Sequence, residues 1–362
     1  MHLNCCHKKW SRLGLKPKNQ KRTATGQRST RESELEKLVD EHKIVKDILR
    51  YRELGKLLGT YIDTIPTLVK EDGRLHSTFL QAGSVTGRMA SKDPGIQNIP
   101  IRTDEGRAIR RAFVAENGFT LVSIDYSQIE LRIAAILSHD EKMIEIFQSG
   151  EDVHHGVASR VFGVPESEVT PEMRRRAKVI NFGILYGMGV NALRTNLGEE
   201  TKREEAQEFL NAYFNTFTRL AEYLEETKEY ARTHGYTRTL FGRKRHFPGI
   251  NSSLPFMRAQ AERMALNAPI QGTSADITRI AMVRIHEYLR ETGKENDVRM
   301  LIQVHDELVF EVRDATVAHE VPKLMEMMES ILAEKETYGV PITVEAKVGE
   351  NWEHMKNFKL HI

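Results

Sequence analysis

Apolar positions recur along this chain with two different periods, and each period predicts a kind of element. From Glu32 to about Tyr61, Leu35, Leu38 and Val39, then Ile44, Val45, Ile48 and Leu49, then Leu54, Leu57 and Leu58 fall on recurring faces. That spacing predicts amphipathic helices broken near Pro66. Leu75 to Gln81 predicts a strand, and Gly83 to Gly95 a turn-rich loop carrying Arg88. Leu121, Val122 and Ile124 form an apolar run too short for a helix, whereas Ile129, Ile133, Ile136 and Leu137 return to the helical period. Asp125 stands at the changeover.

Downstream, Thr170-Pro171-Glu172 opens a helix, with Thr as N-cap, Pro at the first position and Glu against the dipole. Gly187 and Gly189 end it. Helices fill 199–234, and Gly242-Arg243-Lys244-Arg245 predicts a loop. A helix from about Leu254 to Ala268 is expected to break at Pro269, before a second at 275–290. Met300 to Val312 predicts an antiparallel hairpin with His305, Asp306 and Glu307 at its tip. A last helix at about 315–336 and a strand at Ile342–Val348 close the chain, and there is no internal repeat.

Composition narrows the class. At 362 residues, 40% hydrophobic and 29% charged, the chain has room for two or three ordinary globular domains. No apolar run approaches the ~18 residues of a membrane span. The cysteines are the adjacent pair Cys5 and Cys6, which excludes a disulfide framework, points to a reducing compartment and offers no thiol set for a metal. Net charge is only +2, but its distribution is uneven. Residues 1–31 carry Lys8, Lys9, Arg12, Lys16, Lys18, Lys21, Arg22, Arg28 and Arg31 and no acid. Such a segment contacts phosphate, forms a solvated tail, or targets an organelle; its Lys-rich, aperiodic character disfavours targeting. Arg102, Arg107, Arg110 and Arg111 make a second basic cluster, open between solvation and phosphate contact.

Three stretches carry chemistry. Asp125, at the end of a buried strand, is placed either to cap the next helix or to hold a hard divalent cation. Arg174, Lys178, Phe182 and Tyr186 stand four residues apart and form one helical stripe. Cations followed by aromatics suit a ligand that is polyanionic at one end and flat at the other, a nucleoside triphosphate. The alternative makes the aromatics core and the cations surface. Asp306 at the hairpin tip ends a second strand. If the strands are neighbours, Asp125 and Asp306 repel, and Mg²⁺ ions between them resolve the conflict. Triphosphate grip, metal carboxylates and an acceptor hydroxyl together point to nucleotidyl transfer.

Asp125-Tyr-Ser-Gln-Ile-Glu-Leu-Arg132, Arg174-x3-Lys178-x3-Phe182-Gly-x2-Tyr186-Gly187 and Val304-His-Asp-Glu307 resemble motifs A, B and C of the family A DNA polymerases, in the same order and spacing. The resemblance covers about residues 13–354. It implies an α+β right-hand fold: partial thumb 1–65, palm 66–137 and 260–362, fingers 138–259. It implies a template-directed DNA polymerase using primer–template DNA, dNTPs and two Mg²⁺ ions, a monomer of the bacterial or phage-type cytoplasm. By matching position, Asp125 and Asp306 would hold metal, with Lys178 and Glu307 joining them in catalysis. Arg174, Lys178, Phe182, Tyr186, Gln128 and His154 would bind the dNTP, and Glu130 would exclude a ribose 2′-hydroxyl with Tyr186. Arg88, Arg263, Asn267, Gln271 and His305 would contact primer–template, where degenerate minor-groove acceptors let donors test pair geometry without reading sequence. Taken alone, Glu130 reads as an ordinary exposed glutamate, and either histidine as a structural one.

The chain departs from the larger members. About 60 residues precede the palm, too few for an exonuclease domain, and the first half of the thumb lacks a counterpart, so no proofreading is expected. A single-subunit RNA polymerase and a truncated, non-catalytic DNA-binding remnant are the rival readings.

Overall fold

The computed structural model describes residues 21–359 except Ala24, Gln27, Arg102 and Glu199. Cys5, Cys6, most of the basic N-terminal stretch and Arg102 lie outside the described residues. Among those residues the chain divides into two compact units, one made of the segment up to Thr78 with Lys92–Ile109, the other of Phe79–Ser91 with the segment from Arg110 onward.

The first unit is helical: α1 (Glu32–Leu35), α2 (Lys43–Leu57), a π turn at Leu58–Ile62, α3 (Ile65–Leu68) and α4 (Asp104–Arg110). Leu35, Leu38 and Val45 form its buried cluster. His42 caps α2, its Nδ1 accepting from the Ile44 amide at 3.0 Å. The expected strand at 75–81 shrinks to β1 (Thr78–Leu80), and the loop after it contains a partner strand, β2 (Ala90–Lys92); Phe79–Ser91, the bulk of this hairpin, counts with the second unit. Part of the basic cluster lies on α4 and is used locally: Arg107 bonds Asp104 within its own helix turn.

The second unit is built on a five-stranded antiparallel sheet in the order β6-β7-β3-β8-β9. Its strands are β3 (Phe119–Tyr126), β6 (Val298–Val304), β7 (Glu307–Arg313), β8 (Val344–Gly349) and β9 (Met355–Asn357), the last not expected from sequence. Central β3 is buried through Val122 and Ile124, and α5 (Ile129–Ser138) returns from it almost wholly buried. Helices follow as α6 (Glu141–Gln148), α7 (Val153–Phe162), α8 (Pro171–Leu185), α9 (Val190–Leu197), α10 (Arg203–Thr216) and α11 (Thr218–His234).

Three further elements differ from expectation. The Gly242–Arg245 loop is half of a hairpin, β4 (Tyr236–Arg238) against β5 (Lys244–His246). Pro269 does not break its helix: α12 runs unbroken from Pro255 to Thr292. The proline forgoes its own N–H bond, but Ala265, Ala268, Ile270, Thr273 and Ser274 are buried around it, and Thr273 Oγ1 donates to the Pro269 carbonyl at 2.7 Å. Burial on both sides outweighs the local defect. The last expected helix also divides, into α13 (Val317–Glu329) and the short α14 (Glu334–Thr337). Among the described residues no helix is long and apolar enough to cross a membrane.

Candidate active site

Strand register sets the acids. β3 pairs with β7 so that Asp125 faces Glu307, and the Tyr126 amide donates to the Asp306 carbonyl at 3.2 Å. Asp125 and the hairpin tip therefore share one end of the sheet. Asp125 does not cap α5; that place belongs to Gln128, whose φ of 55° makes the sharp strand-to-helix turn. His305 is exposed at the tip, also left-handed at φ 53°. One Asp306 oxygen accepts from Ser274 Oγ at 2.8 Å and lies 3.5 Å from Arg88 Nη2. Glu307 Oε1 accepts from Ser123 Oγ at 2.5 Å and from Trp352 Nε1 at 3.5 Å.

Asp125 stands at the open end of its strand. Desolvation by the surrounding chain, then repulsion from Glu307 and Asp306, push its carboxyl up to about 7. Among the described residues no group of three or more His, Cys, Asp or Glu forms a ready metal cage. A crowded carboxylate pair with open coordination fits Mg²⁺, which takes one or two carboxylates and completes its shell with water and substrate phosphate.

The stripe lies on α8. Thr170 Oγ1 caps it, accepting from the Met173 amide at 3.2 Å, while Ala177, Ile180, Asn181, Ile184 and Leu185 bury the opposite face. Phe182 is 36% and Tyr186 45% exposed, so the aromatics are not core. Arg174 is held in a bidentate fork by Asp152, at 3.1 and 2.7 Å. Lys178 stands exposed, without an ion pair among the described residues. His154 is buried behind the stripe, its ring centroid 5.7 Å from Phe182 and its Nδ1 3.0 Å from the Asn181 amide nitrogen. Burial, reinforced by Lys178 and Arg174 against the pull of Asp152, lowers its pKa to about 4.

His154 makes the stability of the fold depend on pH. Its folded pKa lies below the ordinary 6.5, so the unfolded chain binds the extra proton and stability is lost as pH falls from 6.5 toward 4. The expected loss is about 2 kcal/mol by pH 5. Urea unfolding at pH 7.5 and 5, with His154→Asn as control for other groups, checks it. An equal drop in both proteins assigns the slope elsewhere.

Glu130 ties the parts together. It is 7% exposed, not the ordinary surface glutamate. Arg88 Nη2 donates to its Oε1 at 2.9 Å and the Tyr186 hydroxyl to its Oε2 at 3.1 Å. Burial raises its pKa, Arg88 opposes, Asp306 adds to the rise, and the Tyr186 bond again opposes. Gly187, at φ +63°, ends α8 against α12; a Cβ there would sit 3.1 Å from Arg263 Cγ. Arg263, Asn267 and Gln271 fall four apart on one face of α12, with Arg263 exposed and the others half-buried. Asn267 Oδ1 is buried without a hydrogen-bond partner among the described residues.

Sequence reasoning missed Ser274, Ser123 and Asp152. Ser274 was within reach, three residues beyond Gln271 on the same helical row. Nothing in spacing announces that Asp152, the N-cap of α7, also holds Arg174.

The chain is similar to known proteins in both sequence and structure. The family model for DNA polymerase family A matches residues 10–354. The chain is 48% identical over 341 residues to the thermostable DNA polymerase I of Thermus aquaticus, covering 94% of this chain and 40% of the relative. It is 45% identical over 334 residues to DNA polymerase I of Pseudomonas aeruginosa, covering 92% and 36%. The chain thus spans about two fifths of the length of these relatives. The structure resembles the POL domain of Pol1 from M. smegmatis in complex with DNA primer-template and dNTP, with a TM-score of 0.87 and 39% identity over 98% of this chain and 61% of that one.

Proposed function

We propose, from the premise that the chain belongs to DNA polymerase family A, that it extends a DNA primer along a template, joining dNTPs to the 3′-hydroxyl and releasing pyrophosphate. The observation that carries this reading is the convergence on one sheet end of the Asp125–Asp306–Glu307 acids and the half-exposed α8 stripe, linked through Glu130 and Arg88.

Roles follow from position. Magnesium held by Asp125 and Asp306, with Glu307 beside them, would activate the primer hydroxyl and neutralise charge on the leaving pyrophosphate. Lys178 and Arg174 take the phosphates, with His154 behind them. Phe182 and Tyr186 pack on base and sugar, and Gln128 lines the turn below. Arg88, Arg263, Asn267 and Gln271 hold the primer–template from its minor groove, with His305 at the primer end. In this reading the five-stranded sheet is the palm, helices of 138–259 are the fingers, and 1–65 belongs to the thumb. The protein works as a cytoplasmic monomer.

Primer extension with Mg²⁺, comparing dNTPs with NTPs, tests the reading. Glu130 is fixed by Arg88 and Tyr186, so a 2′-hydroxyl meets a side chain that has no freedom to retreat. Glu130→Ala is expected to raise ribonucleotide use about 10- to 100-fold relative to dNTP, the discrimination one steric group supplies. Equal use of dNTPs and NTPs by the wild type would favour an RNA polymerase instead. DNA binding without extension would favour a non-catalytic protein.

A further inference from the structure

Arg243 lies in the turn just before β5, outside every motif above, yet its guanidinium joins separate parts of the unit. Nε donates to Asp276 Oδ1 at 2.7 Å, and Nη2 donates to the carbonyls of Thr86 and Gly272, each at 3.0 Å. It thereby bridges the β4–β5 hairpin, α12 and the loop after β1. The Leu240 amide, in the same hairpin turn, donates to Thr273 Oγ1 at 3.0 Å and fixes the hairpin on α12. The fit leaves no slack. Gly87 has φ +90°, and a Cβ there would lie 2.3 Å from Arg243 Nη2; a Cβ on Gly272 would lie 2.6 Å from Thr239 Cγ2.

Both surfaces that Arg243 joins lead to the acids. Two residues past Thr86, Arg88 donates to Glu130 at 2.9 Å and reaches within 3.5 Å of Asp306 Oδ1. Two residues past Gly272, Ser274 donates to that same Asp306 oxygen at 2.8 Å. Asp276 Oδ2 is buried without a hydrogen-bond partner among the described residues, so this carboxylate depends on the guanidinium at its other oxygen. A lysine cannot present several donors in one plane to a carboxylate and two carbonyls.

We infer that Arg243 is a positioning residue: it holds the Arg88 loop and the Ser274 turn in register, and so sets Arg88 against Glu130 and Asp306 at the primer terminus. Its functional consequence rests on the polymerase reading; its structural part does not. Arg243 itself touches neither acid and needs no contact with DNA.

The test uses the full chain as wild type, Arg243→Lys, Asp276→Asn, Arg88→Ala and Arg88→Ala/Arg243→Lys. Amide hydrogen exchange is expected to rise about 10-fold at residues 83–89 in Arg243→Lys and Asp276→Asn, with β3 and β7 unchanged. Extension from a matched primer should fall about 10-fold in Arg243→Lys, and the double variant should be no slower than Arg88→Ala, because both changes act through one contact. The salt slope of DNA binding should stay at its wild-type value, whereas loss of a phosphate contact lowers it by about 1. Unchanged exchange at 83–89 overturns the positioning role. Additive losses, or a salt slope lowered by one, also overturn it, in favour of an independent DNA contact. If no protein in the set extends a primer, the polymerase reading fails while hydrogen exchange still decides the positioning.

Discussion

Asp125→Asn is expected to reduce primer extension at least about 10³-fold, the scale of several kcal/mol that metal-held charge contributes to a transition state, and at the same time to raise the Tm of the metal-free protein. The second half is the more discriminating. Asp125 has a folded pKa of about 7 against an ordinary 3.8, so between those values the folded chain binds the extra proton. Wild-type stability therefore falls as pH rises from about 4 to 7 and stays reduced above that window. An amide removes a charge penalised first by desolvation and then by repulsion from Glu307 and Asp306, so the variant should outlast wild type in EDTA at pH 8 and match it near pH 4. Added Mg²⁺ should stabilise wild type and close the gap. Asp306→Asn should be as inactive, but with less gain in stability, since Ser274 and Arg88 already share its charge. Wild-type extension by Asp125→Asn would remove the metal assignment. A lower Tm in EDTA at pH 8 would refute the picture of crowded charge.

Why these acids were legible from sequence, and their surroundings were not, has a physical reason. The apolar run before Asp125 and the alternation through Val304 and Leu308 encode strands locally, and local encoding survives without knowledge of partners. The stripe at Arg174, Lys178, Phe182 and Tyr186 was legible because helical period alone puts these residues on one face. What sequence did not show is decided by tertiary contact. Pro269 reads as a breaker until the burial around it is known. Gly242–Arg245 reads as a loop until β5 finds β4, and β9 is too short to stand out. The burial of Glu130 depends on Arg88, 42 residues away, and Tyr186, 56 away, so neither composition nor period could separate it from a surface glutamate. The same holds for Asp152, which turns one of two apparently equivalent phosphate cations into half of an ion pair.

That inequality predicts different costs for removing the two cations. Lys178→Ala is expected to lower kcat/KM for dNTP by about 10²–10³-fold, the effect of deleting one preorganised charge aimed at developing negative charge. Arg174→Ala should cost about tenfold less. The Arg174 guanidinium already spends its fork on Asp152, so on the proposed reading a triphosphate would gain only the difference between two anionic partners, whereas Lys178 would meet it with no counter-ion to displace among the described residues. The pair is a half-exposed one, 44% and 37% at the two side chains, and such pairs contribute little to stability. Phosphate can therefore take Arg174 from Asp152 without unfolding anything, and the loss in Arg174→Ala should fall mainly on KM. Asp152→Asn separates the charge from the cap: the amide oxygen still caps α7 while the competing carboxylate is gone. That variant should bind dNTP more tightly, with KM lowered and kcat held. Steady-state kinetics on a fixed primer–template reads all these values. An Arg174→Ala loss equal to that of Lys178→Ala, together with a raised KM in Asp152→Asn, would show that Asp152 presents Arg174 to the phosphates instead of competing for it.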